Sequence, residues 1–273
     1  LGLEDWPALL ALRERAPAAE RRGEDWTYWG ARALEALGRT GEAREMFARL
    51  AGERSYYGYL AADRLERPYA VNHRPLEADP EVLERLSGHP VLARVREFRA
   101  LGRPIDARRE WYAWVRDLDD RGLEAAAVLA HDRGWHFNTI LTLGRRQAWD
   151  DIRRRFPLAY RDPVLSEARH NRLDPAWVYA VVRQESAFEP TARSPAGALG
   201  LMQILPDTAR MMARRLQDRI RPRRDLLEAR TNLRLGSAYL RTLLADLGDN
   251  PVLATAAYNA GPQRVRRWLP EDG

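Results

Sequence analysis

The sequence predicts an all-α protein, and three observations carry that expectation. Apolar residues recur at helical spacing along nearly all of the 273-residue chain, glycines punctuate the stretches between them, and no segment alternates apolar and polar residues as a half-buried strand would. A chain of this length can bury two cores, so two helical domains are expected. Prolines interrupt the helical pattern around Phe156-Pro157-Leu158-Ala159-Tyr160 and at Asp162-Pro163, which marks a connector and places the boundary between residues 164 and 165.

The elements follow in order. Between Trp26 and Leu65 one apolar stripe through Trp29, Ala33 and Leu37 meets Gly38, and a second through Ala43, Phe47 and Leu50 meets Gly52. Short helical hairpins of this spacing resemble tetratricopeptide-like repeats, which stack because no single pair can bury its apolar face alone. An ordinary helical bundle gives the same spacing. Residues 80–101, 105–118, 123–132 and 135–145 continue as amphipathic helices, separated by Gly102, Gly122 and Gly134. Trp111, Trp114, Trp135 and Trp149 fall at helical positions and are expected as wedges between helices rather than as sugar platforms. Beyond the connector, helices start at Asp174-Pro175, Pro206-Asp207 and Asn250-Pro251, and the last of them stops at Gly261-Pro262.

Composition removes several functions. With no cysteine there is neither a disulfide nor a thiolate metal site, and the five histidines supply no His-x-x-x-His pair, so no metal is expected. No apolar run approaches the roughly 18 residues of a membrane helix. The net charge of +6 comes from arginines spread over every segment and interleaved with Asp and Glu, as in Arg13-Glu14-Arg15 and Arg94-Val95-Arg96-Glu97. That is the pattern of solvated helix faces, not of a nucleic-acid-binding arm, and a mild basic excess also suits an anionic polymer. Leu1 opens neither an initiator Met nor a leader, so a mature or trimmed portion is expected.

The chemistry concentrates on Glu185. In the helix that starts at Asp174-Pro175 and runs to about Ala187, Val178, Val181 and Val182 form the apolar stripe, and Glu185 lies on the same face. A carboxylate there is costly to leave ionised. Desolvation by that face and the negative end of the helix dipole both push its pKa up, which is what a general acid for glycosidic-bond cleavage requires. An ion pair with Arg183 or Arg193 would explain the residue equally well. The following run, Ser194-Pro-Ala-Gly-Ala-Leu-Gly-Leu-Met-Gln203, offers glycines for close backbone approach, hydrogen-bonding groups on Ser194 and Gln203, and an adaptable apolar wall in Met202. Tyr258, after Ala256-Ala257, either supports the fold or points its hydroxyl toward a neighbouring site.

Arg183-Gln-Glu-Ser-Ala-Phe188, Gly197-Ala-Leu-Gly-Leu-Met-Gln203 and Ala257-Tyr-Asn-Ala-Gly261 together resemble, in order, the three motifs of the soluble lytic transglycosylase family. Tyr56-Tyr-Gly-Tyr-Leu-Ala-Ala62 and Phe156-Pro-Leu-Ala-Tyr160 are similar to that family's helical superhelix and linker, so the resemblance spans nearly the whole chain. It implies a superhelical array of helical hairpins over 1–164, then a lysozyme-like α domain over 165–273, the first expected to be N-terminally and the second C-terminally incomplete. It implies Glu185 as the catalytic acid/base and Ser194, Met202, Gln203, Tyr258 and Asn259 as substrate-binding positions, with Ser186 supporting the helix end. No cofactor is implied.

The activity so implied is cleavage of the β-1,4 bond between N-acetylmuramic acid and N-acetylglucosamine in peptidoglycan, leaving a 1,6-anhydromuramoyl end. The implied setting is the periplasm, with peptidoglycan glycan strands as partner alongside cell-wall synthesis or remodelling proteins. Most glycosidases use two carboxylates. Glu189, at the helix exit, and Asp207, at the next helix start, are the nearby candidates in sequence, but neither lies in a matching motif, so one carboxylate is expected to act alone. A hydrolytic muramidase and a non-catalytic murein-binding scaffold are the alternatives.

Overall fold

The computed structural model describes residues 5–269. These residues are all-α, as the periodicity predicts, and among them the β contribution is limited to isolated bridges joining Arg193, Leu199 and Ile204. Packing divides the chain into two compact units, Leu1–Pro75 and Leu76–Gly273.

In the first unit the helices are α1 (Trp6–Arg15), α2 (Ala18–Arg21), α3 (Glu24–Ala36), α4 (Thr40–Leu50) and α5 (Tyr56–Arg64). α3 and α4 pack against each other, joined by a turn in which Gly38 takes φ 77°, and α5 closes over them. Their core gathers Tyr28, Phe47, Leu50 and Ala61. The stripe Ala43, Phe47 and Leu50 is buried as expected, but of the first stripe only Ala33 is: Trp29 is partly buried and Leu37 is 42% exposed, because α3 turns Tyr28, Ala31 and Leu34 inward.

The second unit continues with α6 (Pro80–Ser87), α7 (Pro90–Ala100), α8 (Pro104–Arg116), α9 (Asp120–Asp132), α10 (His136–Arg146) and α11 (Ile152–Arg155). It ends with α12 (Arg161–His170), α13 (Pro175–Ser186), α14 (Pro206–Arg215), α15 (Pro222–Asp225), α16 (Ala229–Asp246), α17 (Pro251–Ala260) and α18 (Pro262–Arg266). One buried cluster collects Val95, Trp111, Val115 and Leu129; another, Val178, Val182, Leu201, Met202, Leu233 and Leu240. Trp111 is fully buried and its indole N–H donates to Thr142 Oγ1 at 3.0 Å, so the wedge leaves no orphaned donor.

Four further expectations need correction. Gly122 does not separate two helices: it is buried in the first turn of α9, its N–H donating to the Asp119 carboxylate that caps the helix. Residues 80–101 form two helices, because Pro90 cannot continue the first, and His89 caps the second by accepting from Val91 N. Pro163 does not interrupt a helix. It sits in the first turn of α12, where its missing N–H costs nothing, and Tyr160 supplies the left-handed entry at φ 53°. Trp149 is no wedge: it is 47% exposed, with the Arg155 guanidinium 4.8 Å above its ring.

Just before α11, Asp151 ties the start of this unit down. Its buried carboxylate accepts from Leu76 N, Arg154 N and Arg154 Nη1. Burial alone would raise its pKa, but these hydrogen bonds outweigh it and hold the carboxyl below its ordinary value.

Candidate active site

α13 begins as the sequence dictates. Asp174 caps it by accepting from Ala176 N at 2.8 Å, Pro175 occupies the first position, and Ala187 ends it in the left-handed region at φ 47°. Val178, Val181 and Val182 are buried, and Glu185, one turn beyond Val181, is half-buried beside them. Burial raises the Glu185 pKa. The arginines that could have paired with it are engaged elsewhere or exposed. Arg183 donates to Arg155 O at 2.8 Å and lies over the Phe156 ring, while Arg193 faces solvent. Among the described residues the Glu185 carboxylate has no hydrogen-bond or ion-pair partner. Ser186 turns inward and donates to Val182 O, the helix-end support expected of it.

Residues 192–204 form a tight loop. Ser194 Oγ accepts from Ala198 N at 3.0 Å, Gly200 N donates to Ala192 O, and Leu199 and Ile204 exchange both backbone hydrogen bonds at 3.0 Å. Gln203, itself left-handed at φ 47°, donates its amide nitrogen to Gly200 O and Ala192 O, so its Oε1 is the end left to accept from a ligand. Met202 does not supply the expected apolar wall: its side chain is fully buried, packed on Gly236 and Ser237 of α16. What it offers is its backbone. Tyr258, in the last turns of α17, donates its hydroxyl to Met202 O at 2.8 Å. That hydroxyl proton is therefore not spent on Glu185. Burial holds the Tyr258 pKa well above 10, reinforced by the negative charge of Glu185 and by Tyr239, whose ring centroid lies 5.6 Å away. Asn259 is exposed on the same helix, and the structure gives it no bond to the other candidate residues.

Sequence reading missed Asn232. It is fully buried in α16, accepts from Met202 N at 2.7 Å, and donates to Leu199 O and Leu226 O at 2.8 Å each. The loop is thus braced by one side chain from a helix about 30 positions away in sequence. The signal was a polar Asn set among the apolar residues of Thr231-Asn-Leu-Arg-Leu-Gly236. Gly200 is fixed by the same contact: at φ 78° it is left-handed, and a Cβ there would collide with Asn232 Nδ2 and Leu226 O. The carboxylates considered as partners for Glu185 are both committed. Glu189 is 3% exposed, bonded to Thr191 and ion-paired with Arg99; Asp207 is solvent-exposed and ion-paired with Arg210.

Residues 162–273 match the family model described as the transglycosylase SLT domain, and residues 85–152 match the soluble lytic murein transglycosylase L domain. The chain is 35% identical over 270 residues to the soluble lytic murein transglycosylase of Salmonella typhimurium and 33% identical to that of Escherichia coli K12, covering 98% of this chain. It spans only 42% of the length of either relative. Among solved structures, the lytic transglycosylase Slt of Pseudomonas aeruginosa, an inactive glutamate-to-glutamine mutant, superimposes with a TM-score of 0.90 at 42% identity, covering 98% of this chain and 44% of that one. The 70-kDa soluble lytic transglycosylase in complex with bulgecin A gives 0.84 at 32% identity, covering 97% of this chain and 43% of that one.

Proposed function

The chain belongs to the soluble lytic transglycosylase family, and on that premise we propose that it cleaves the β-1,4 bond between N-acetylmuramic acid and N-acetylglucosamine of peptidoglycan, with Glu185 as the only acid/base. The observation that carries this reading is Glu185 itself: a half-buried carboxylate, its pKa raised by burial, with no protein partner among the described residues. A group so placed is protonated to a higher pH than an exposed glutamate and can give its proton to a leaving oxygen.

In the proposed reaction Glu185 protonates the glycosidic oxygen as the bond to the muramoyl anomeric carbon breaks, and the substrate's N-acetyl group stabilises the charge that develops there. The carboxylate then takes the proton of the muramoyl 6-hydroxyl, whose oxygen bonds the anomeric carbon. A 1,6-anhydromuramoyl end results, no water is consumed, and Glu185 returns to its protonated state. Tyr258, anchored on Met202 O, keeps the 192–204 loop and α17 together beside Glu185. Ser194, Gln203 and Asn259 are assigned to the glycan, and Met202 to the backbone anchor rather than to a side-chain wall. Functionally we place the helical segment at 1–164 and the catalytic segment at 165–273. Peptidoglycan as substrate puts the site of action in the periplasm, where cell-wall synthesis or remodelling proteins would be its partners. Among the described residues no helix is long and apolar enough to cross a membrane.

Digestion of purified sacculi with the wild type and Glu185→Gln tests this. The wild type should release anhydromuropeptides and Glu185→Gln none. Products heavier by one water would replace the reading with hydrolysis, and lysis by Glu185→Gln would remove Glu185 from its role.

A further inference from the structure

Four residues beyond Glu185, Glu189 is a carboxylate that the proposed chemistry does not use, yet it is only 3% exposed. A buried carboxylate is strongly unfavourable unless a cation and hydrogen bonds meet it. Here Thr191 Oγ1 donates to Glu189 Oε1 at 2.6 Å, and Arg99 Nη1 donates to Oε2 at 3.3 Å. Arg99 lies at the end of α7, 90 positions away and within the stretch matching the L domain, whereas Glu189 lies in the stretch matching the transglycosylase domain.

The backbone between Glu185 and Glu189 is unusual. Ala187 and Phe188 are consecutive non-glycine residues in the left-handed region, at φ 47° and 65°. Such a pair persists only when the surroundings fix it. Phe188 is held by burial, its ring centroid 6.2 Å from that of His136 and 6.3 Å from that of Tyr179. Glu189 holds the other end of the turn through Arg99. Burial lowers the pKa of His136, with His131 and then Arg99 adding to the shift, and burial raises that of Tyr160 against the opposing charge of Arg99, so this guanidinium is felt by the groups around the turn.

We propose that Arg99 is a positioning residue for Glu185: by its ion pair with the buried Glu189 it fixes the left-handed turn that ends α13, and with it the last helical turn on which Glu185 stands. The stretch around α7 thereby sets the alignment of the catalytic carboxyl. This rests on the reading of Glu185 as the acid/base. A displacement of about 1 Å at a reacting group can cost on the order of 100-fold in rate.

The test compares Arg99→Ala, Arg99→Lys and Glu189→Gln with the wild type on solubilised glycan strands, well below each variant's measured Tm so that all protein is folded. Arg99→Ala should lower kcat by about 10- to 100-fold. Arg99→Lys, which keeps the cation, should recover most of it. In a Glu185→Gln background, adding Arg99→Ala should leave glycan affinity within about twofold, since alignment and not binding is lost. If Arg99→Ala does not fold, Glu189→Gln carries the same expectation, because it keeps a group for Thr191 but gives up the ion pair. Folded Arg99→Ala or Glu189→Gln with kcat within about threefold of wild type would overturn the proposal, as would a kcat loss that Arg99→Lys does not relieve. Activity retained by Glu185→Gln alone would instead sink the reading on which the proposal stands.

Discussion

Replacing Asn232 by Leu removes the brace beneath the 192–204 loop at nearly constant volume, so the loss can be worked from hydrogen bonds. Leu199 O keeps a partner, since it also accepts from Ile204 N. Met202 N and Leu226 O lose the partner that Asn232 gives them. A buried polar group left unsatisfied costs about 1–3 kcal/mol, so these two together cost about 2–6 kcal/mol. The apolar side chain put in their place returns about 1–2 kcal/mol. The expected net loss is about 3 kcal/mol, a large fraction of the roughly 5–15 kcal/mol that holds a domain folded. Urea denaturation followed by tryptophan fluorescence should show it as a lower midpoint with an unchanged slope for the unit that begins at Leu76. A loss below about 1 kcal/mol would refute the argument, because it would mean that the loop's polar groups find other partners without Asn232.

Two glycines of the same loop should separate conformational strain from collision. Gly197→Ala meets only strain, because φ is 85° and the space around it is open, and should cost about 1–2 kcal/mol; Gly200→Ala adds the collision with Asn232 and Leu226 and should cost about 2–5 kcal/mol, both read by thermal or urea unfolding. Asp151→Ala should destabilise by about 2–4 kcal/mol at neutral pH, since the carboxylate serves Leu76 N and Arg154. Its pKa is depressed in the fold, so this stability is present above the unfolded-state value of about 3.9 and is lost as pH falls through the folded one; the gap between wild type and variant should close in acid. Glu185 has the opposite sign. Its pKa is raised in the fold, so stability falls as pH rises from the unfolded-state value of about 4.3 through the folded one, and Glu185→Gln should be more stable than wild type at neutral pH, with the advantage vanishing below about pH 4. Unfolding curves across that range would show whether the two variants diverge from wild type in opposite directions.

Several helix starts were legible from a cap followed by a proline. Asp174-Pro175 and Asn250-Pro251 begin helices where expected, because an N-cap side chain followed by a proline is a local instruction that needs no tertiary context. Gly88-His-Pro90 carries the same proline signal inside a stretch whose overall apolar content reads as one helix, and the chain breaks there. Glu185 was legible because an acid on an apolar face is anomalous within one helix. Met202 was misplaced because the sequence names a side chain but not the direction it takes in a loop. With Gln203 left-handed, the chain turns so that Met202 points at Gly236 and only its carbonyl faces Tyr258. Asn232 and Arg99 could not be found by local reasoning, since their partners lie about 30 and 90 positions away.

The number of carboxylates available near the end of α13 bears directly on mechanism. A second catalytic carboxylate must be near the reacting carbon and free to act as base or nucleophile. Glu189 is near in sequence but not free: Arg99 and Thr191 occupy its oxygens, and using it as a base would give up the charge pairing that makes its burial tolerable. Asp207 is exposed to solvent and paired with Arg210. Of these three, Glu185 is the one that combines an apolar setting with an unoccupied carboxyl. If Glu185 serves as acid in the first step, its ionised form is the base that step leaves behind, and a nucleophile carried by the substrate needs only that base. Such a site is economical only if the carboxyl hardly moves between the two steps. That places the demand on whatever fixes the last turn of α13, and the left-handed turn clamped by Phe188 and Glu189 meets it.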